Sequence, residues 1–187
     1  MGYTQRDMID YTHPPLLVEP HTYLYRAFQD MAADFSAAGE TRYDDFLTIS
    51  LGQFSTYVAN LYKSANGQDL VAGHVPQSTF WLAAEADILL GTIRIRQRLN
   101  EQLSHEGGHI GYGIRPSFRR RGLGTAQLRL ALPKALALGL TRLLVTCDTD
   151  NIASARIIEK NGGELENQVI SNTSGKLVSR YWITLSN

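Results

Sequence analysis

One cysteine, Cys147, occurs among the 187 residues. A single thiol excludes an internal disulfide framework and any multi-cysteine zinc site. It suits a reducing compartment, so a cytoplasmic location is the expectation. Neither sign of charge is in excess, since 18 Lys plus Arg balance 18 Asp plus Glu. Bulk electrostatics therefore gives no pull toward nucleic acid or a membrane surface, and neither is expected as a partner. There is no run of about 18 apolar residues, which a membrane-spanning helix would need. The N-terminus lacks an apolar secretory segment. Met1-Gly2 would open a myristoylation signal, but Arg6 stands where Ser or Thr is required. The five histidines have no ligand spacing, so no metal is expected. Internal repeats, low-complexity tracts and a second apolar core are also missing, which predicts one domain over 1–187, with residues 1–14 a loose tail.

What is present is periodic. Hydrophobic residues make up 43% of the chain, enough for a sizeable core. Leu16 to Glu19 reads as a short strand closed by Pro20. Tyr23, Ala27, Met31 and Phe35 recur at spacing four, which predicts a helix over 23–38 with Thr22 as N-cap and Gly39 as stop. A second helix is expected over 48–64. Thr79 to Ala83 and Ile88 to Arg96 read as a hairpin turned at Glu85-Ala86-Asp87, followed by a polar loop over 97–106. Arg142 to Cys147 is apolar on both faces, the mark of a strand inside a covered sheet. A short helix over 152–160 and a terminal hairpin, 164–170 with 176–185, complete the chain. This order gives an α/β protein with a mixed sheet.

The stretch from Gly107 to Leu138 carries the strongest signal. His109 to Ile114 has the small and apolar residues of a buried strand, and Pro116 ends it. Ser117 to Arg121 is a turn crowded with positive charge. Gly122 and Gly124 then open a Leu/Ala-rich helix that contains Pro133, where a kink is expected. A strand, a glycine-bearing turn and a helix N-terminus make an anion site, because backbone N–H groups approach a ligand under a favourable helix dipole. The spacing is neither that of a Walker loop nor that of the dinucleotide fingerprint. Phosphate binding is the favoured reading of Arg119-Arg120-Arg121. A nucleic-acid surface built on that turn is the rival.

In Arg119-x-x-Gly122-x-Gly124, together with Asn151 to Gly163, the chain resembles the GNAT superfamily of acetyl-CoA-dependent N-acetyltransferases. The likeness extends over nearly the whole chain. Gly107-Gly108-His109-Ile110-Gly111-Tyr112, Thr146-Cys147-Asp148 and Ile158-Glu159-Lys160-Asn161-Gly162-Gly163 resemble a subgroup of predicted acetyltransferases of undefined substrate. The resemblance implies a mostly antiparallel sheet of about seven strands flanked by about four helices. It implies acetyl-CoA as co-substrate and direct transfer to a primary amine of a small molecule or peptide, and it leaves a homodimer open. Backbone groups of Arg119, Arg120, Arg121, Gly122, Leu123, Gly124 and Thr125 would hold the CoA pyrophosphate. The Ile114 backbone would hold the pantetheine arm where the strand splays. Asn151 and Ser154 read equally as a helix cap and as CoA contacts.

The family often places a proton-donating Tyr where this chain has Ile158, which cannot donate. His109 is the candidate general base, with local packing as its other reading. Arg94, Arg96 and Arg98 share one face, either solvated or recognising an anionic acceptor. Cys147, in an apolar strand, is not expected to act as a nucleophile. A CoA-binding regulatory domain with weakened catalysis is the alternative function.

Overall fold

The computed structural model describes residues 14–84 and 88–186. The expected tail lies almost entirely outside the described residues, and the turn Glu85-Ala86-Asp87 lies wholly outside them. The elements run β1 Leu16–Val18, α1 Tyr25–Ala37, α2 Leu51–Ala65, β2 Gln77–Ala84, β3 Ile88–Arg96, α3 Glu101–His105, β4 Ile110–Ile114, α4 Leu123–Ala137, β5 Arg142–Asp148, α5 Ile152–Glu159, β6 Glu164–Ile170 and β7 Leu177–Thr184. This is the expected α/β architecture with seven strands, and α3 joins the four helices foreseen.

The differences are local. Thr22 does not cap α1. A 3-10 turn, Thr22–Leu24, precedes the helix, and the His21 side chain accepts from the Tyr23 N–H at 3.2 Å. The second helix starts three residues later than expected because Ser50 and Gln53 cap it reciprocally, each side chain serving the other's backbone N–H. Asn100 accepts from the Leu103 N–H at 2.9 Å and nucleates α3 within the expected loop. The helix α4 continues through Pro133 to Ala137.

The strands form two antiparallel groups, ordered β1-β2-β3-β4 and β5-β7-β6. On one face α1 and α2 bury Phe28, Met31, Phe35 and Phe54 against Trp81 and Leu89. On the other, Leu128, Ala131 and Ala135 of α4 and Ile158 of α5 pack on Ile93, Ile95, Ile110, Leu143, Val145, Tyr181 and Ile183. Alternation along each strand divides its side chains between these two layers.

No ladder joins β4 to β5 among the described residues. They meet only at the start of β4. There the His109 N–H donates to the Leu144 carbonyl at 2.7 Å, the Leu144 N–H donates to His109 Nδ1 at 2.9 Å, and the Gly107 N–H reaches Thr146 Oγ1 at 3.1 Å. Gly108 permits this approach. Its φ of +59° suits glycine, and a Cβ there would stand 2.4 Å from the Leu144 carbonyl oxygen. Beyond this junction the two strands diverge, and the space between them is the site.

Candidate functional site

Register determines which groups face the gap. The Arg96 N–H bonds the His109 carbonyl and the Arg115 N–H bonds the Leu90 carbonyl, both at 2.8 Å. In an antiparallel pair, hydrogen-bonded and non-hydrogen-bonded positions alternate. Ile110, Tyr112 and Ile114 therefore turn their backbone groups away from β3 and toward the gap. The Ile114 carbonyl is taken by Arg119 Nε at 2.9 Å, which leaves its N–H to a ligand.

At the Ile114 end, the chain enters the turn Pro116–Phe118 and then α4. Arg120 at φ +63° and Gly122 at φ +78° are both left-handed, and such turns gather successive N–H groups into an anion-binding concavity. The N–H groups of residues 120–125 make no hydrogen bond to protein among the described residues, because the first turn of a helix leaves its donors unpaired. Gly124 also lets α4 approach α5, since a Cβ there would stand 2.5 Å from Ile157 Cδ1.

This turn is tied to the C-terminal end of α1. Arg115 Nε pairs with Asp34 Oδ2 at 2.8 Å, and the Ser117 hydroxyl and N–H donate to the same oxygen. Arg119 Nη1 pairs with Glu40 Oε1 at 2.5 Å, and Arg42 pairs with the other Glu40 oxygen at 3.0 Å. The Arg119 hydrogen bond holds the Glu40 carboxyl below its ordinary value. Arg121 donates to the Ser117 carbonyl at 3.3 Å and lies over the Phe118 ring. The side chains of Arg119 and Arg121 are thus engaged by the protein, and backbone donors plus Arg120 remain for an anion.

The gap opens into a cleft of about 1040 Å³. Its walls include Ile114, Arg119, Arg120, Gly122, Leu123, Gly124, Thr125, Asn151 and Ser154, which brings together most of the residues singled out in the sequence. Arg121 and His109 are not among its lining residues. His109 is buried, with Nδ1 occupied by the Leu144 N–H and its ring 6.3 Å from that of Trp182. Burial, aided by the Arg96 charge, pushes its imidazole below the ordinary value. These are the surroundings that the packing alternative for His109 describes.

Asn151 caps α5, accepting from the Ser154 N–H at 3.1 Å, while both residues still line the cleft. The cap reading of this pair is met, and capping leaves both residues on the cleft wall. Ile158 is wholly buried in the core under α5. Tyr112 instead reaches from β4 to place its hydroxyl 2.6 Å from Ser154 Oγ, within the cleft. Burial raises the Tyr112 phenol to about 12, so it carries its proton at neutral pH. Burial likewise pushes the Cys147 thiol up, which keeps it a thiol although it lines the same wall. Asp148, on the opposite face of β5, lines the cleft with Lys176 at 3.3 Å.

Glu40, Tyr112, Asp148, Arg156 and Lys160 all line the cleft, yet sequence reasoning gave none of them a role. Tyr112 was within the quoted motif and had a usable signal, a lone phenol on a glycine-flanked strand. Glu40 had none, because Arg119, the partner that ties it to the glycine turn, lies 79 positions away in the chain.

A family model described as an acetyltransferase (GNAT) domain matches residues 24–164. No curated protein matches the sequence. Among solved structures, RimJ of Mycobacterium smegmatis, in complex with a CoA disulfide, is 17% identical, with a TM-score of 0.67 over 91% of this chain and 86% of that one. The microcin C7 self-immunity acetyltransferase MccE, in complex with acetyl-CoA and AMP, is 12% identical, with a TM-score of 0.67 over 95% and 96%. An acetyltransferase of Salmonella typhimurium that modifies the N-terminal serine of ribosomal protein L7/L12 is 15% identical, with a TM-score of 0.64 over 95% and 99%. At such identities the likeness to these three is one of fold.

Proposed function

The chain belongs to the GNAT acetyltransferases, and from that premise we propose that it transfers an acetyl group from acetyl-CoA to a primary amine by direct attack in a ternary complex. The observation that carries the reading is the cleft between β4 and β5. It has unpaired N–H groups of residues 120–125 at one end and the free edge of β4 along its length.

These residues fit the co-substrate. A cleft of about 1040 Å³ is at the upper end for small-molecule sites. The N–H groups of residues 120–125 match a pyrophosphate, and Arg156 and Lys160 add positive charge to the same wall. Acetyl-CoA supplies an acyl group activated as a thioester.

The chain's own residues then divide the work. The N–H groups of Tyr112 and Ile114 face the gap as donors for a thioester carbonyl, where fixed donors favour developing negative charge. The Tyr112 hydroxyl, held by Ser154, is the proton donor to the departing thiolate, in place of the tyrosine that Ile158 replaces. Asp148 is the carboxylate that takes the proton from the incoming amine, directly or through water. Glu40 is less suited, because two arginines occupy it. A hydroxyl pair in this position weighs against the alternative of a catalytically weakened CoA-binding domain, which rested on Ile158.

Calorimetry with acetyl-CoA tests the reading, followed by thiol release measured across a library of primary amines. Binding together with amine-dependent thiol release supports it. No uptake of acetyl-CoA would falsify it, and binding without amine-dependent release would favour the regulatory alternative.

A further inference from the structure

We propose that Arg96, on the cleft wall, and Arg94, just outside it, build an anion subsite at the edge of the cleft, so that the acceptor is a primary amine bearing a carboxylate or phosphate near its reacting nitrogen. This rests on the acetyltransferase reading above.

The two residues are two apart on β3 and so share one face. Arg94 pairs in register with Gly111 of β4, which has no side chain to cover that face. The point where a Gly111 Cβ would stand is 3.6 Å from Arg94 Nη2 and 4.0 Å from Arg96 Nη2. Two guanidinium groups therefore meet over bare backbone, and Gly111 and Arg96 both line the cleft. Arg98, the third arginine of the sequence stripe, lies beyond the end of β3.

Their surroundings are unbalanced. Arg96 is half-buried, and its Nη1 donates to the Gly107 and Gly108 carbonyls, each at 2.8 Å. Among the described residues neither Arg94 nor Arg96 pairs with a carboxylate, whereas Arg42, Arg115, Arg119 and Arg180 all do. Like charges held side by side, one of them drawn out of water, repel and lose solvation. Carbonyl oxygens orient Arg96 but carry no formal charge. An anion seated between the two forks supplies the missing countercharge with paired hydrogen bonds.

The phosphates of CoA do not meet this need. Gly111 precedes Ile114 by three residues, about 10 Å at roughly 3.3 Å per residue, and the pyrophosphate cradle lies beyond Ile114. The pantetheine arm that spans the interval is uncharged. Gly111 also faces away from Ile110 and Tyr112, whose side chains pack toward α4 and α5. The subsite therefore lies on the α1–α2 side of the gap, opposite the Tyr112–Ser154 hydroxyls, where an acceptor approaches without displacing the co-substrate.

The test compares amines that differ only in charge: O-phosphoethanolamine with ethanolamine, and β-alanine with β-alaninamide. At saturating CoA, thermal-shift titration reads binding, and thiol release from acetyl-CoA reads turnover. The charged member of at least one pair should stabilise the protein and be favoured by about tenfold to a hundredfold, the scale of a charge-assisted hydrogen bond. The two pairs separate phosphate from carboxylate. Arg94→Gln should bring the ratio near one with CoA affinity unchanged. Arg94 is exposed, which makes it the safer variant, and Arg96→Lys provides a second. Equal response to charged and neutral amines with CoA bound overturns the subsite alone, as does a preference that survives both variants. Failure to bind CoA instead removes the acetyltransferase reading beneath it.

Discussion

The hydroxyls of Tyr112 and Ser154 stand 2.6 Å apart across the cleft, one on β4 and the other on α5. Because burial holds the phenol near 12, Tyr112 keeps its proton at neutral pH, the state that the proposed role of proton donor needs. Tyr112→Phe is expected to lower kcat by about 10²-fold, the lower range for general acid catalysis, with little change in the KM for acetyl-CoA. Ser154→Ala should fall in the same direction by less. Steady-state kinetics with the best amine decides it, and unchanged kcat in both variants would exclude the pair as the acid.

The two glycines of the turn should fail for different reasons. A Cβ on Gly124 would stand 2.5 Å from Ile157 Cδ1. Gly124→Val is therefore expected to cost about 1–3 kcal/mol by overpacking and to weaken CoA binding. Gly122 has open space around it but a φ of +78°, so Gly122→Ala should cost about 1–2 kcal/mol through backbone strain. Adding Ile157→Ala to Gly124→Ala should recover stability, whereas adding it to Gly122→Ala should not. Denaturant midpoints measure both.

The buried His109 ring gives a pH dependence with a defined sign. Burial, with the Arg96 charge, lowers its folded-state pKa, so the unfolded chain binds a proton first. The stability linked to this ring is complete above about pH 6.5 and is lost as pH falls from there through the folded value. His109→Asn keeps an acceptor for the Leu144 N–H and removes the titration. Urea midpoints at about pH 7.5 and about pH 5.5 should drop more in wild type than in the variant. An equal drop in both would acquit the ring.

Asp34 contributes in a lower pH window. Burial pushes its carboxyl up, but the hydrogen bonds from Ser117 and Arg115 outweigh that and hold it below its ordinary value. Its stabilising contribution is present above the ordinary aspartate pKa and disappears as pH falls through the depressed one. Asp34→Asn should cost about 1–3 kcal/mol at neutral pH, as expected for hydrogen bonds to a charged group. The gap between variant and wild type should close under strong acid. Chemical denaturation at the two pH values tests this, and a gap that stays constant would show that the charge is irrelevant.

Much of the architecture was legible because it is written in short-range pattern. The four-residue spacing of Tyr23, Ala27, Met31 and Phe35 and the apolar run through Val145 need only neighbours to be read. The glycine turn at Gly122 was equally local. What escaped depends on partners far along the chain. No spacing rule connects Glu40 to Arg119 or Tyr112 to Ser154, because the fold creates those neighbours. The surroundings of His109 belong with these. Its position on the central strand was right for a base, but the Leu144 N–H that occupies Nδ1 comes from a strand 35 residues on. Thr22 lost its expected place as N-cap to a capping turn begun one residue earlier by His21.

The meeting of β4 and β5 at one end alone, where His109 bonds Leu144 and Gly107 bonds Thr146, has a mechanical consequence. Below that point the half-sheets are pinned, and above it no main-chain hydrogen bond among the described residues fixes their separation. The wedge can widen with no loss of strand-to-strand bonding, resisted by side chains bridging its flanks, among them the Tyr112–Ser154 hydroxyl pair and Asn161, whose Nδ2 donates to the Thr125 carbonyl at 3.2 Å. Its width is therefore a side-chain variable, and under the proposed activity that variable would set the bulk of the acyl group admitted.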